Sequence, residues 1–222
     1  MFNNSKYSNV LTIILVVAII LVVFIIAMLI IKIVNSRNQM ADAALAATAF
    51  EDRSRVNDDE ENKEKIDITG IDDTDLVVKD STSPDSPTKY KGFDVVATIE
   101  IPQIKLNYPV LKKLSKKSLE TAVVLLYTAR GVNEPGNTVI IGHNYRNNTM
   151  FSNLKKLNKG DSIYITDLEG RKIEYEIYNI YSTSGNDGSY ITRNTNGKRE
   201  ISLSTCTDDS KSRTIVEAKE KE

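Results

Sequence analysis

Ile201-Ser202-Leu203-Ser204-Thr205-Cys206 is the stretch whose reading organises the rest of the chain. Period-two alternation puts Ile201, Leu203 and Thr205 on one face of a strand and Ser202, Ser204 and Cys206 on the other. An inert structural cysteine belongs among apolar neighbours. This one shares the hydroxyl-bearing face, which predicts a reachable thiol. It is the only cysteine in 222 residues, so an intramolecular disulfide is excluded, and with a single histidine so is a zinc site of four Cys/His ligands.

Downstream, the polar run Thr207-Asp208-Asp209-Ser210-Lys211-Ser212 leads to Arg213 and then to the strand-like Thr214 to Lys219. A hairpin over this segment brings Cys206 and Arg213 to one edge, about 5 Å apart. A fixed positive charge there favours thiolate over thiol and stabilises an anionic tetrahedral intermediate. The alternative is a plain ion pair of Arg213 with Asp208 or Asp209, worth little in stability. Upstream, the apolar run Thr138-Val139-Ile140-Ile141 delivers Gly142-His143 into the polar loop Asn144-Tyr145-Arg146-Asn147-Asn148. A histidine at a strand end is ordinarily structural. Beside Cys206 and Arg213 it completes the thiol, base and oxyanion-stabiliser set that nucleophilic acyl transfer requires.

The surrounding 93–222 segment reads as short strands. Val95 to Ile101 is rich in β-branched residues, and Ile104, Leu106 and Tyr108 alternate. Ser162 to Thr166 and Lys172 to Tyr181, joined by a turn at Gly170, read as a hairpin. Ser118 to Tyr127 is the best helix candidate, with Ser118 as its N-cap. Seven or eight strands with one or two helices and no βαβ rhythm predict a mainly β fold, a closed or nearly closed antiparallel barrel.

The first 92 residues are of a different kind. Val10 to Ile31 carries no charge and has Thr12 as its only polar side chain, so as a helix it spans about 33 Å, enough for a bilayer core. A cleaved signal is the competing reading, since Ala47-Thr48-Ala49 resembles a cleavage site. The length of the run and the distance to that site favour an uncleaved anchor. Lys6 on one side faces Lys32 and Arg37 on the other, so charge alone does not orient it. Beyond an Ala-rich helical continuation, Glu51 to Asp80 holds 12 acidic and 5 basic residues and is followed by Ser81-Thr82-Ser83-Pro84-Asp85-Ser86-Pro87, the composition of a flexible stalk. The predicted organisation is therefore a short terminus over 1–9, a transmembrane anchor over 10–31, a helical extension and acidic stalk over 32–92, and a globular domain over 93–222. The overall charge of −1 gives no reason to expect a nucleic-acid partner.

Ser202-Leu203-Ser204-Thr205-Cys206 resembles the Thr-Leu-x-Thr-Cys signature of the sortases, cysteine transpeptidases of Gram-positive surfaces. Thr138 to His143 resembles their histidine strand, Arg213-Thr214-Ile215-Val216-Glu217-Ala218-Lys219 their arginine strand, and Ile99-Glu100-Ile101-Pro102-Gln103-Ile104 with Tyr108-Pro109-Val110 their opening strands. The resemblance implies an eight-stranded β-barrel with the active site in a groove on its wall. It also implies that Cys206 is the nucleophile toward a C-terminal sorting signal, that His143 is the acid and base, and that Arg213 binds substrate backbone and oxyanion. Thr205 would help shape the substrate pocket. The acceptor would be an amine on a peptidoglycan precursor. No metal or organic cofactor is implied, and calcium dependence stays open. The topology implied is an inside amino terminus and an outside catalytic domain. The His143 loop and Arg213 strand look most like class B or class D. The stretch from Tyr181 to Glu200 is too short for the long class B helix, and no second hydrophobic segment or Asp-Pro-aromatic lid motif points to class C.

Overall fold

The computed structural model describes residues 4–61 and 89–222, and the expected acidic stalk falls largely on 62–88, outside the described residues. One long helix, α1 (Asn4–Glu61), precedes the strands. Compact grouping divides the chain at Gln39/Met40. In the first unit, α1 carries an 18-residue window of mean hydropathy 3.8, none of it buried, and is long and apolar enough to cross a membrane.

The second unit begins inside the same helix. Ala43, Ala47 and Phe50, spaced to share one face of α1, are all buried. Ala43 and Phe50 belong to the hydrophobic core of the barrel, together with Tyr90, Val95 and Ile99. The Ala-rich continuation therefore does more than extend the apolar segment: from Met40 on, it groups with the barrel.

Nine strands follow: β1 (Lys89–Tyr90), β2 (Phe93–Ile101), β3 (Leu106–Leu111), β4 (Val123–Thr128), β5 (Gly136–Ile141), β6 (Ser162–Asp167), β7 (Lys172–Ser184), β8 (Arg199–Cys206) and β9 (Ser212–Glu220). Around the barrel they run β2-β3-β4-β5-β8-β9-β7-β6, and β6 pairs back onto β2. The two-residue β1 is appended to β2. The closed eight-stranded barrel expected from the resemblance is thus the observed fold, with each of its eight strands paired on both sides.

Two expectations need correction. The barrel is not wholly antiparallel, because β3–β4 and β5–β8 pair parallel. Parallel neighbours need a crossover. The first is supplied by the segment containing α2 (Lys116–Thr121), the second by the excursion through β6 and β7. The helix expected over Ser118 to Tyr127 is α2, which ends at Thr121, and its N-cap is Ser115. Ser118 occupies the third helical position, where its hydroxyl accepts the Ser115 N–H at 2.8 Å while its own N–H donates to the Ser115 hydroxyl at 3.0 Å. The following Val123-Val124-Leu125-Leu126 run forms β4 instead. Its valines are fully buried between β3 and β5, and sheet pairing overrides the helix propensity of the leucines.

Candidate active site

Strands β5 and β8 run side by side with Ile140 opposite Leu203 and Ile141 opposite Ser204. The ladder continues one bond further, the Gly142 N–H donating to the Ser204 carbonyl at 3.2 Å. His143 follows directly, and the next residue, Asn144, donates to the Cys206 carbonyl at 3.0 Å, which keeps the histidine loop at the end of β8. On the other side of β8, Cys206 lies directly opposite Arg213. Imidazole, thiol and guanidinium therefore come from the ends of three neighbouring strands, each about 4.8 Å from the next. The hairpin that unites Cys206 and Arg213 is closed by the Thr207 N–H donating to the Ser212 carbonyl at 2.9 Å.

Gly142 is where this row allows no side chain. A Cβ there would stand 2.9 Å from both Phe151 Cδ2 and Val123 Cγ1. Both neighbours are completely buried, so β5 reaches His143 only because position 142 is glycine. His143 is half-buried, and its ring lies 4.8 Å from that of Tyr145 at a 39° tilt. Burial pushes its pKa below the ordinary histidine value, with Glu120 opposing the shift.

Cys206 is a free, half-buried thiol. Arg213 donates from Nε to the Gly185 carbonyl at 3.2 Å. Among the described residues it forms no ion pair with Asp208 or Asp209, whose carboxylates are engaged elsewhere. Asp208 accepts from Lys155 and from Asn144, and Asp209 accepts from the Thr207 hydroxyl at 2.6 Å. The simple ion-pair reading of Arg213 is therefore not what the structure shows.

The hydroxyl-bearing face of β8 also differs from expectation. Ser202 and Ser204 are fully buried, because the loop between β7 and β8 folds over them. The Tyr190 hydroxyl donates to Ser204 Oγ at 3.2 Å, and Arg193 Nε donates to Ser202 Oγ at the same distance. Asn137 Nδ2 donates to the carbonyls of Tyr190 at 2.8 Å and Ile191 at 2.9 Å. Arg193 also pairs with Glu200, lies 3.6 Å from Glu217, and donates to the Tyr178 hydroxyl at 2.9 Å. Burial, reinforced by Glu200, drives the Tyr178 phenol far above its usual pKa, so it stays neutral in this cluster. The alternation in the sequence is real, but the face that reads as solvated is roofed by a loop pinned at several points. Of the three outward side chains only Cys206, at the strand end, is not fully buried.

Thr205 points the other way. It is buried, and its hydroxyl donates to the Gly142 carbonyl at 2.8 Å, tying β8 to the start of the histidine loop. It also lines a cavity of about 160 Å³ with Asn144, Phe151, Lys155 and Thr214. Asn144 was not singled out by the sequence, although it immediately follows His143. Its Nδ2 donates to the Cys206 carbonyl at 3.0 Å and to Asp208 Oδ1 at 3.0 Å. Only its adjacency to the histidine hinted at this. Among the described residues no group of three or more His, Cys, Asp or Glu is arranged to hold a metal ion.

A β-barrel presenting a cysteine between a histidine and an arginine on adjacent strand ends defines a candidate thiol-dependent acyl-transfer site. The sortase domain family matches residues 99–221, and the chain belongs to the sortase family. It is 30% identical over 144 residues to Sortase A of Bacillus anthracis, a match covering 64% of this chain and 64% of that protein. Among solved structures it is similar to a Clostridium perfringens Sortase D5 transpeptidase, with 33% identity and a TM-score of 0.53 over 58% of this chain and 80% of the other. It is also similar to Sortase A of Corynebacterium diphtheriae, with 29% identity and a TM-score of 0.53 over 59% of this chain and 72% of the other. The chain spans less than two thirds of the length of the Bacillus anthracis relative.

Proposed function

We propose that the protein is a membrane-anchored cysteine transpeptidase that cleaves a C-terminal sorting signal on surface proteins and transfers the acyl group to an amine of a cell-wall precursor. The observation that carries this reading is Cys206 directly opposite Arg213 at the end of the β8–β9 pair, with the His143 loop tied to the Cys206 carbonyl through Asn144. Family membership supports it, and the exposed apolar stretch of α1 supports the anchor. The orientation proposed is amino terminus inside and barrel outside.

In the first step the Cys206 proton passes to His143 and the thiolate sulfur bonds to the scissile carbonyl carbon. Arg213 offsets the charge on the tetrahedral oxygen. The C–N bond then breaks as His143 returns its proton to the leaving amine, giving a thioester. In the second step an acceptor amine attacks the same carbon and loses its proton to His143, and the C–S bond breaks as His143 returns that proton to the sulfur, regenerating the Cys206 thiol and the neutral imidazole. The depressed basicity of His143 leaves it mostly neutral near pH 7, the state needed to take a proton in each step. Thr205 contributes by tying β8 to the Gly142 carbonyl next to His143 and by lining the small cavity shared with Asn144 and Thr207.

The test is a panel of peptides bearing different pentapeptide sorting signals, incubated with the full chain in detergent micelles with and without triglycine. We expect a thioester at Cys206 by mass spectrometry and a triglycine-ligated product. Hydrolysis indifferent to added amine would instead make the protein a peptidase, and turnover by Cys206→Ala would sink the assignment altogether. Arg213→Ala and His143→Ala should each lower the rate by orders of magnitude.

A further inference from the structure

The β5–β8 ladder stops one bond short of the chemistry. Its last backbone bond joins Gly142 to Ser204, so His143 and Cys206 both project beyond the paired region. Past that bond the β5–β8 ladder no longer ties the histidine loop to β8, whose Cys206 is still paired with Arg213 of β9. Two side-chain bonds continue the connection. One is Thr205 to the Gly142 carbonyl, and the other is Asn144 Nδ2 to the carbonyl of Cys206 itself. The same Nδ2 reaches Asp208 in the loop that links Cys206 to Arg213. Because the carbonyl and the carboxylate only accept, both amide hydrogens are assigned, and Oδ1 faces the Arg146 N–H at 3.2 Å.

We propose that Asn144 is a positioning residue that fixes the main chain of the nucleophile to the histidine loop, with Asp208 orienting its amide. The inference rests on the reading of Cys206 and His143 as the reacting pair. Lys155 and Asp208 are both about half exposed, and such a surface pair adds little to stability. What Lys155 does is hold the Asp208 carboxylate on the side from which Asn144 approaches. Lys155 and Asn144 together keep the Asp208 carboxyl below the usual carboxylate range, so the acceptor stays charged at neutral pH. Position 144 therefore requires a short side chain with two donor hydrogens. Alanine removes the donor and leaves the Cys206 carbonyl without this partner. Glutamine keeps the amide on a longer arm.

The experiment compares the wild-type full chain in detergent micelles with Asn144→Ala, Asn144→Gln and Asp208→Ala. The readouts are kcat and KM with a cleaved peptide, the melting temperature, and the pH dependence of Cys206 alkylation by iodoacetamide. We expect Asn144→Ala to lower kcat about 10- to 100-fold, the scale for misplacing a reacting group by about 1 Å, with KM within about twofold. We also expect it to shift the pH midpoint of alkylation. Asn144→Gln should recover several-fold of the loss, and Asp208→Ala should show a smaller fall than Asn144→Ala. An Asn144→Ala protein with wild-type kcat and alkylation profile would overturn the proposal. So would a fall in kcat no larger than the loss of folded protein, with the alkylation profile unchanged. If the wild-type chain cleaves no peptide, the transpeptidase reading fails, while the alkylation profiles still decide whether Asn144 positions Cys206.

Discussion

Replacing Gly142 with alanine is the sharpest perturbation the barrel offers, because it adds one methyl group between two functions. The new Cβ would meet Phe151 Cδ2 and Val123 Cγ1 at 2.9 Å and Phe151 Cγ at 3.1 Å, all atoms of fully buried side chains. Overpacking of this kind costs about 1–3 kcal/mol. The backbone at 142 is not in the left-handed region, so alanine recovers about 0.4–1 kcal/mol by restricting the unfolded chain. A net loss of about 1–2 kcal/mol should lower the melting temperature by roughly 2–8 °C for a unit of this size. Activity should fall further, about 10- to 100-fold, since whatever movement relieves the clash also moves His143 relative to Cys206. Thermal melts and peptide turnover on the full chain measure both. Phe151→Leu in the same protein supplies the control: it opens space at the clash, so the double variant should be less impaired than the two single losses combined, by about 0.5–3 kcal/mol. A Gly142→Ala protein with unchanged melting temperature and turnover, or a cycle additive to within about 0.3 kcal/mol, would refute the reasoning.

Other expectations are checked as directly. Phe50→Ala should destabilise the barrel unit by about 3–5 kcal/mol, read by denaturant unfolding, because the ring belongs to the main core; a wild-type midpoint would show that the helix does not dock. Arg193→Ala removes the cation shared by the half-buried Glu200 and the buried Glu217, leaving them only the Tyr178, Asn179 and Tyr181 donors, and should cost about 1–3 kcal/mol, with new protease cleavage between Gly185 and Lys198 by limited proteolysis. His143 is the only histidine, so its titration is unambiguous by NMR, and its midpoint should lie below about 6.5. The fold favours the neutral ring, so the unfolded chain takes up the proton first on acidification. The stability contributed by His143 is then present above about pH 6.5 and lost as pH falls from there toward its lowered value.

The sequence disclosed most about strands with a clean period. Ile201 to Cys206 and Thr214 to Lys219 form β8 and β9 nearly as read, and the Cys206–Arg213 juxtaposition follows from that hairpin alone. It misled where two signals competed locally. Ser118 read as the cap because it starts the apolar run, but the reciprocal bonding with Ser115 shows that α2 starts one turn earlier. The roof over Ser202 and Ser204 was hidden because its anchors, Asn137, Tyr190 and Arg193, are polar or glycine-flanked residues in segments that read as loop and turn. Asn144 was invisible for a related reason: its partners lie 62 and 64 residues away. No local pattern encodes a side-chain bond across that separation. Docking of Ala43, Ala47 and Phe50 is not legible in the sequence because an Ala-rich helix following an apolar run reads as its continuation, and Phe50 alone marks no apolar face.

The closing pair of the barrel, β2 with β6, spans only Ala97–Glu100 against Tyr164–Asp167. Across this seam Glu51 Oε1 accepts from the hydroxyls of Thr98 at 2.9 Å and Thr166 at 3.3 Å, which are register partners on the two strands. One carboxylate near the amino end thus bridges residues 47 and 115 positions later. Contacts so distant in sequence form slowly. The helix precedes every strand in the chain, so the Glu51 bridge stays incomplete until β6 is in place. The seam needs β6 and the rest of the wall needs β7, β8 and β9, so a chain interrupted before Ser162 can form neither.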